Sequence, residues 1–253
     1  MVWQAPNLRG EKHCFFGSEG GVSVGHYAGL NVNTRSLDKK ENLNENLNRA
    51  AQRVGLRREN LLLLCQGVSA DAFYVDASSQ DVLVADGAVT DCPNIGLCIR
   101  TADCAPVLLE DRTSGIIGAA HAGWRGAFKG IIENVVALMV ERGADIGHIA
   151  AAVGPCIAQA SYEVDENFYR QFIDVNSKFE KYFMLGVKQG FYQFDLKSFC
   201  VDKLKKCGVL DISCSADDTY ALADKYYSFR RFTHQNLVQK PKDFATELSV
   251  ITL

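Results

Sequence analysis

Residues 100–126, RTADCAPVLLEDRTSGIIGAAHAGWRG, constrain the fold more tightly than any other stretch of the chain. Two apolar runs, 106–110 and 116–120, flank a polar turn at 111–115, a pattern that predicts two neighbouring strands. Cys104 stands in a small-residue turn before the first run, and His121 follows the second. Strands joined in this way can place a thiol beside an imidazole. Those groups build either a zinc site or a cysteine nucleophile with its base. The plainer alternative is a small buried core cysteine and a turn histidine with satisfied nitrogens. The surroundings speak against it, because a core cysteine has no need of Thr-Ala-Asp before it.

The rest of the composition narrows the class. At 253 residues the chain has the length for one large α/β domain, and a single domain spanning 1–253 is expected. A net charge of −3 leaves no basic footprint, so nucleic acid is not an expected partner. No apolar run approaches a membrane span, and the first residues lack the apolar core and cleavage site of a signal peptide. Nine cysteines, an odd number without C-x-x-C spacing, fit reduced cytosolic thiols better than a disulfide framework. The expectation is a soluble cytoplasmic protein.

Taken in order, the chain opens with an aromatic strand at 14–16 and a glycine-rich loop holding Gly20, Gly21, Gly25, His26 and Gly29. The loop matches neither G-x-x-x-x-G-K-[ST] nor G-x-G-x-x-G, so it does not read as a standard nucleotide-phosphate loop. Residues 44–54 predict a helix with Leu43, Leu47, Ala50, Ala51 and Val54 on one face and Gly55 as its stop. Strands follow at 61–64, 72–75 and 82–85; DGAVTDCPN reads as a turn before a strand at 96–100. Beyond the central stretch, helices are expected at 130–142, 166–172 and 196–207, and strands at 149–153, 191–194 and 248–253. Asp217-Asp218-Thr219-Tyr220 reads as a helix cap. No repeat or linker divides the chain. Strands and helices mix without regular β-α-β alternation, which favours a layered α/β sandwich over a barrel or a doubly wound fold.

TADCAPVLL, HAGWRG, VGPCI, DDTY and YSFRR, in this order, resemble the YfiH/laccase-domain family, also described as multicopper polyphenol oxidase-like or purine nucleoside phosphorylase-like. GVSVGHYAGLN is similar to a loop of that family, with Gly29 in place of its usual serine. The likeness runs from Phe15 to Leu253. It implies an α/β sandwich with a mixed sheet, a single zinc held by two histidines and a cysteine, and a cysteine-hydrolase-like fold. It also implies phosphorolysis of adenosine, guanosine and inosine, and deamination of adenosine, with purine nucleoside and phosphate as partners. Residue by residue, the family's cysteine ligand falls on Cys104 and its second histidine on His121, which are also the implied catalytic residues.

Three departures stand beside the match. The family's first histidine ligand lies in a Q-V-H segment, and that position here is Val68. The family's E-N-R reads Glu45-Asn46-Leu47, with Arg49 two residues later, and the C-terminal G-R segment has no counterpart. A catalytic zinc keeps three protein donors and one open position, so zinc held by Cys104 and His121 alone is expected to be weak or absent. His26 is either a replacement donor or a solvated loop residue. Arg125 either pairs an anionic substrate group with its planar fork or forms a surface salt bridge. Asn31 is either a substrate hydrogen-bond donor or a turn residue. The readings that remain open are a purine-nucleoside enzyme, a metal-free Cys/His hydrolase and a paralogue that binds without catalysing. With five histidines and no H-x-H pair, a multinuclear copper cluster is not supported.

Overall fold

The computed structural model describes residues 2–76, 83–238, 240 and 242–253. Among them, β7 (Ala105–Asp111) and β8 (Ile116–Ala122) form the expected antiparallel hairpin, with Pro106 opposite His121. It lies inside a six-stranded mixed sheet. On one side β7 pairs with β9 (Ile149–Val153), and beyond it lies β13 (Asp211–Cys214). On the other side β8 pairs with β5 (Gly87–Thr90), and beyond it lies β4 (Ala72–Tyr74). A second, five-stranded sheet runs in the order β1 (Val2–Trp3), β2 (His13–Phe16), β14 (Glu247–Ile251), β6 (Gly96–Thr101) and β3 (Leu61–Leu63).

Strand periodicity explains how the two sheets stack. Successive side chains point to opposite faces, and both faces of these strands are covered. On β6, Leu97 and Ile99 join Leu108, Ile117, Ala119 and Ala152 in the core between the sheets, whereas Cys98 faces the other way. That outer face is covered by helix α1 (Lys40–Arg53) through Leu47, Ala50 and Ala51. On the six-stranded sheet, Val107 and Leu109 point outward against α3 (Ile131–Glu141) and α5 (Leu196–Lys206). The layers therefore run α–β–β–α, and the expected α/β sandwich with mixed sheets is present. A small sheet of β10 (Glu163–Asp165), β12 (Phe191–Phe194) and β11 (Phe183–Leu185) holds an aromatic cluster with α4 (Glu166–Ile173). There Phe168 lies 4.5 Å from the ring of Trp124 at the start of α2 (Trp124–Lys129).

Three expectations change. Of the strand expected at 82–85, Val82 lies outside the described residues and 83–85 are not in a strand; β5 lies in the segment taken for a turn. Gly87 accounts for the difference. Its backbone runs directly beneath α3, where a Cβ would come within 2.5 Å of Val135, so it serves close packing rather than a turn. Asp218 caps no helix: it accepts hydrogen bonds from Ala158 N, Ser161 Oγ and Tyr220 N. The next helix, α6 (Phe229–His234), is capped by Ser228, whose Oγ accepts from Arg231 N. Finally, α1 begins at Lys40, four residues before the expected start, and the extra turn buries Leu43.

Candidate active site

Cys104 and His121 meet at one end of the β7–β8 hairpin because the start of β7 pairs with the end of β8: Ala105 is opposite Ala122. The thiol and the imidazole both border one spot above Gly123, where a Cβ would stand 3.0 Å from Cys104 Sγ and 3.8 Å from His121 Nε2. The glycine keeps that spot open.

The other ring nitrogen, Nδ1, lies 2.7 Å from Oδ1 of Asp86, and His121 N donates to Asp86 O at 2.7 Å. Asp86 is fully buried. Burial pushes its carboxyl up, but hydrogen bonds from His121 and Ser69 outweigh that and hold it at about 2. Burial likewise works against the charged imidazole, yet the Cys104 sulfur and the Asp86 carboxylate together raise His121 to about 9. Sulfur, imidazole and carboxylate thus stand in the order of a nucleophile or donor, its base, and the group that orients the base. Asp86 went unnoticed in the sequence because Asp-Gly reads as a turn; only the pairing of β5 with β8 brings it to His121.

The motifs around the site clamp the cysteine turn. Asp103 takes φ +82° and is half-buried. Its Oδ1 accepts from Thr219 Oγ1 at 2.7 Å, and its Oδ2 from Ser228 Oγ at 2.8 Å and Arg230 N at 2.7 Å. Burial still pushes this carboxyl above its usual range. Its carbonyl accepts from Ile157 N, and Cys156 O accepts from Thr219 N. TADC, VGPCI, DDTY and YSFRR are therefore one hydrogen-bonded unit, distant in sequence and joined around Asp103.

A cavity of about 360 Å³ opens over Cys104 and Gly123. Trp124, Tyr162 and Phe229 supply aromatic walls, and Arg125 and Arg230 supply charge. Arg125 lies over the Trp124 ring at 4.2 Å; Arg230 lies 5.3 Å from the Tyr162 centroid and donates to Glu163 O at 2.8 Å. Asn31 does not reach this cavity. It is fully buried, its amide donates to Ser36 and Asp38, and its carbonyl accepts from Asn33 N and Thr246 N. His26 is exposed, its ring 3.8 Å from that of Tyr27, and it does not line the cavity either.

Val68 does line it. The loop that carries it is pinned by Gly67 N and Ser69 N, which both donate to Asp86 Oδ2. Val68 itself sits at φ +64°, left-handed backbone that a β-branched residue adopts at a cost and histidine tolerates better. The position therefore suits another residue type, and it puts an apolar side chain in the lining of the cavity that Cys104 also lines. Among the described residues no group of three or more His, Cys, Asp or Glu could hold a metal. Two donors and a valine do not fit a three-donor catalytic zinc. Among the described residues, no helix is long and apolar enough to cross a membrane.

Fold and site together define a layered α/β protein with a thiol–imidazole–carboxylate set at the mouth of an aromatic cavity. Residues 12–237 match the family described as "Multi-copper polyphenol oxidoreductase laccase". The chain belongs to that family. A Rickettsia conorii protein named purine nucleoside phosphorylase is 39% identical over 81% of this chain and 85% of its own. One of the same name from Deinococcus radiodurans is 43% identical over 67% and 65%. Among solved structures, a Neisseria meningitidis protein matches with a TM-score of 0.86 and 28% identity, covering 100% of this chain and 98% of that one. The Bacillus licheniformis hypothetical protein YfiH matches with a TM-score of 0.85 and 25% identity, covering 95% and 92%.

Proposed function

We propose that this protein, working as one domain over residues 1–253, cleaves purine nucleosides by phosphorolysis and also deaminates adenosine. The observation that carries the reading is the Cys104–His121–Asp86 set, whose Cys104 lines a cavity with aromatic walls and two guanidinium groups. The names of the relatives point the same way. In phosphorolysis a phosphate oxygen bonds to the sugar C1′ as the bond to purine N9 breaks. The departing purine must then take up a proton. In this reading His121 gives it from Nε2, while Asp86 holds Nδ1. Arg125 and Arg230 receive the phosphate, and Trp124, Tyr162 and Phe229 stack on the purine. In deamination water adds to C6 of the base and gives a proton to the imidazole, which protonates the amino group so that the C6–N bond breaks and ammonia leaves.

A second reading rests on the residues alone. With valine at position 68, Cys104 and His121 retain what a covalent thiol hydrolase needs: the sulfur attacks an acyl carbon, and His121 protonates the leaving group. The deciding experiment measures hypoxanthine release from inosine with and without phosphate, alongside elemental analysis of the same sample. Phosphate-dependent release that disappears in Cys104→Ala supports phosphorolysis. Hydrolysis of a p-nitrophenyl acyl ester that is blocked by thiol alkylation and lost in Cys104→Ala, with no release of hypoxanthine, supports the hydrolase. Turnover undiminished in Cys104→Ala sinks both, and no turnover at all leaves a binding paralogue.

A further inference from the structure

We propose that Arg35 and Arg100, with the hydroxyl of Thr34, form a second anion site that takes a phosphate group. Arg100, on β6, is only 8% exposed. Its Nη1 donates to Thr34 Oγ1 at 2.7 Å and its Nη2 to Leu64 O at 2.7 Å, both neutral acceptors. Arg35 is exposed, and its Nη1 donates to Gln66 O at 3.2 Å. Gln66 joins the two: its Oε1 accepts from Arg100 N, and its Nε2 donates to Arg100 O. Among the described residues neither arginine forms an ion pair, whereas Arg9, Arg49, Arg57, Arg112 and Arg170 each face a glutamate. The charged and titratable groups facing Arg100 are Arg35, which opposes its charge, and the thiols of Cys98 and Cys65.

A guanidinium does not shed its proton in a protein, so this buried charge stays uncompensated, a costly arrangement unless an anion arrives. Two forks and a hydroxyl match a dianionic phosphate better than a single carboxylate. Neither arginine lines the cavity over Cys104, so the site is separate and does not rest on the reaction proposed above. Two sources share this chemistry, inorganic phosphate and the phosphate of a nucleotide.

Calorimetric titration of inorganic phosphate, AMP and adenosine at fixed ionic strength, into wild type, Arg35→Gln and Arg125→Gln, tests the site. Arg35 is exposed, so its replacement leaves the fold intact. Phosphate and AMP should show one set of sites that Arg125→Gln keeps and that Arg35→Gln weakens at least tenfold, separate from any set in the cavity that Arg125→Gln removes, with adenosine binding unaffected by Arg35→Gln. Tighter AMP than phosphate assigns the anion to a nucleotide, equal affinities assign it to free phosphate, and either upholds the site. No phosphate binding by wild type, or undiminished binding by Arg35→Gln, overturns it. Loss in Arg125→Gln alone moves phosphate to the cavity, which overturns this site and supports the phosphorolysis reading.

Discussion

Replacing Val68 by histidine tests the relation between the loop and the site most directly. Two effects separate cleanly. The first is strain: Val68 holds φ +64°, and left-handed backbone costs an L-residue about 1–2 kcal/mol. Histidine and asparagine are enriched in that region, so Val68→His and Val68→Asn should each stabilise the protein by about 1 kcal/mol. At this length that raises Tm by about 2–4 °C. The second effect is coordination. Four-donor zinc sites bind with about 10–16 kcal/mol, so one added donor is worth about 2.5–4 kcal/mol, or about 10²–10³-fold in affinity. Only Val68→His supplies it. Competition against a chromogenic chelator at constant pH reads the affinity, and calorimetric melting reads the strain. If Val68→His binds zinc no better than Val68→Asn, residue 68 is not aimed at Cys104 and His121. If wild type already binds tightly and His26→Ala does not change that, a further donor exists.

Asp86→Asn keeps one acceptor but removes the charge. The His121 pKa, followed by NMR, should fall from about 9, and turnover should drop about 10³–10⁴-fold, as when an orienting carboxylate is lost elsewhere; an unchanged pKa would remove Asp86 from the machinery. For stability against pH, His121 is raised from 6.5 to about 9, so its contribution is complete below 6.5 and lost as pH climbs through 9. Asp86 is lowered from 3.8 to about 2, so its contribution is present above 3.8 and lost as pH falls through 2. Urea midpoints should therefore drop between pH 6.5 and 9 in wild type and drop less in Cys104→Ala; identical slopes would contradict the thiol–imidazole coupling. Asn31→Ala strands several buried partners and should cost about 1–3 kcal/mol in a urea melt while leaving KM unchanged. A raised KM at unchanged stability would restore Asn31 to the substrate.

The amino-acid sequence determined the elements whose signals are local. Apolar runs split by a polar turn specify the β7–β8 hairpin, and pairing the start of one strand with the end of the next brings Cys104 to His121. The same holds for α3 and α5, whose apolar spacing and closing glycines, Gly143 and Gly208, lie within one segment. Motif likeness also located Val68 in the site, and the cavity lining agrees. What the sequence could not supply depends on partners far along the chain. Gly87 reads as a turn until α3 is laid over it. Asp86, 35 residues before His121, becomes its partner only when β5 pairs with β8, so nothing beside Asp86 in the chain announces its role. Asp103 looks unremarkable beside Cys104 until Thr219, Ser228 and Arg230 arrive to share its carboxylate. Asn31 shows the converse: a glycine-rich loop suggests ligand contact, but folding buries the amide and satisfies it internally. A side chain's chemistry is carried by its residue type, whereas its hydrogen-bond partners and its exposure to water are set by segments that meet only in the folded chain.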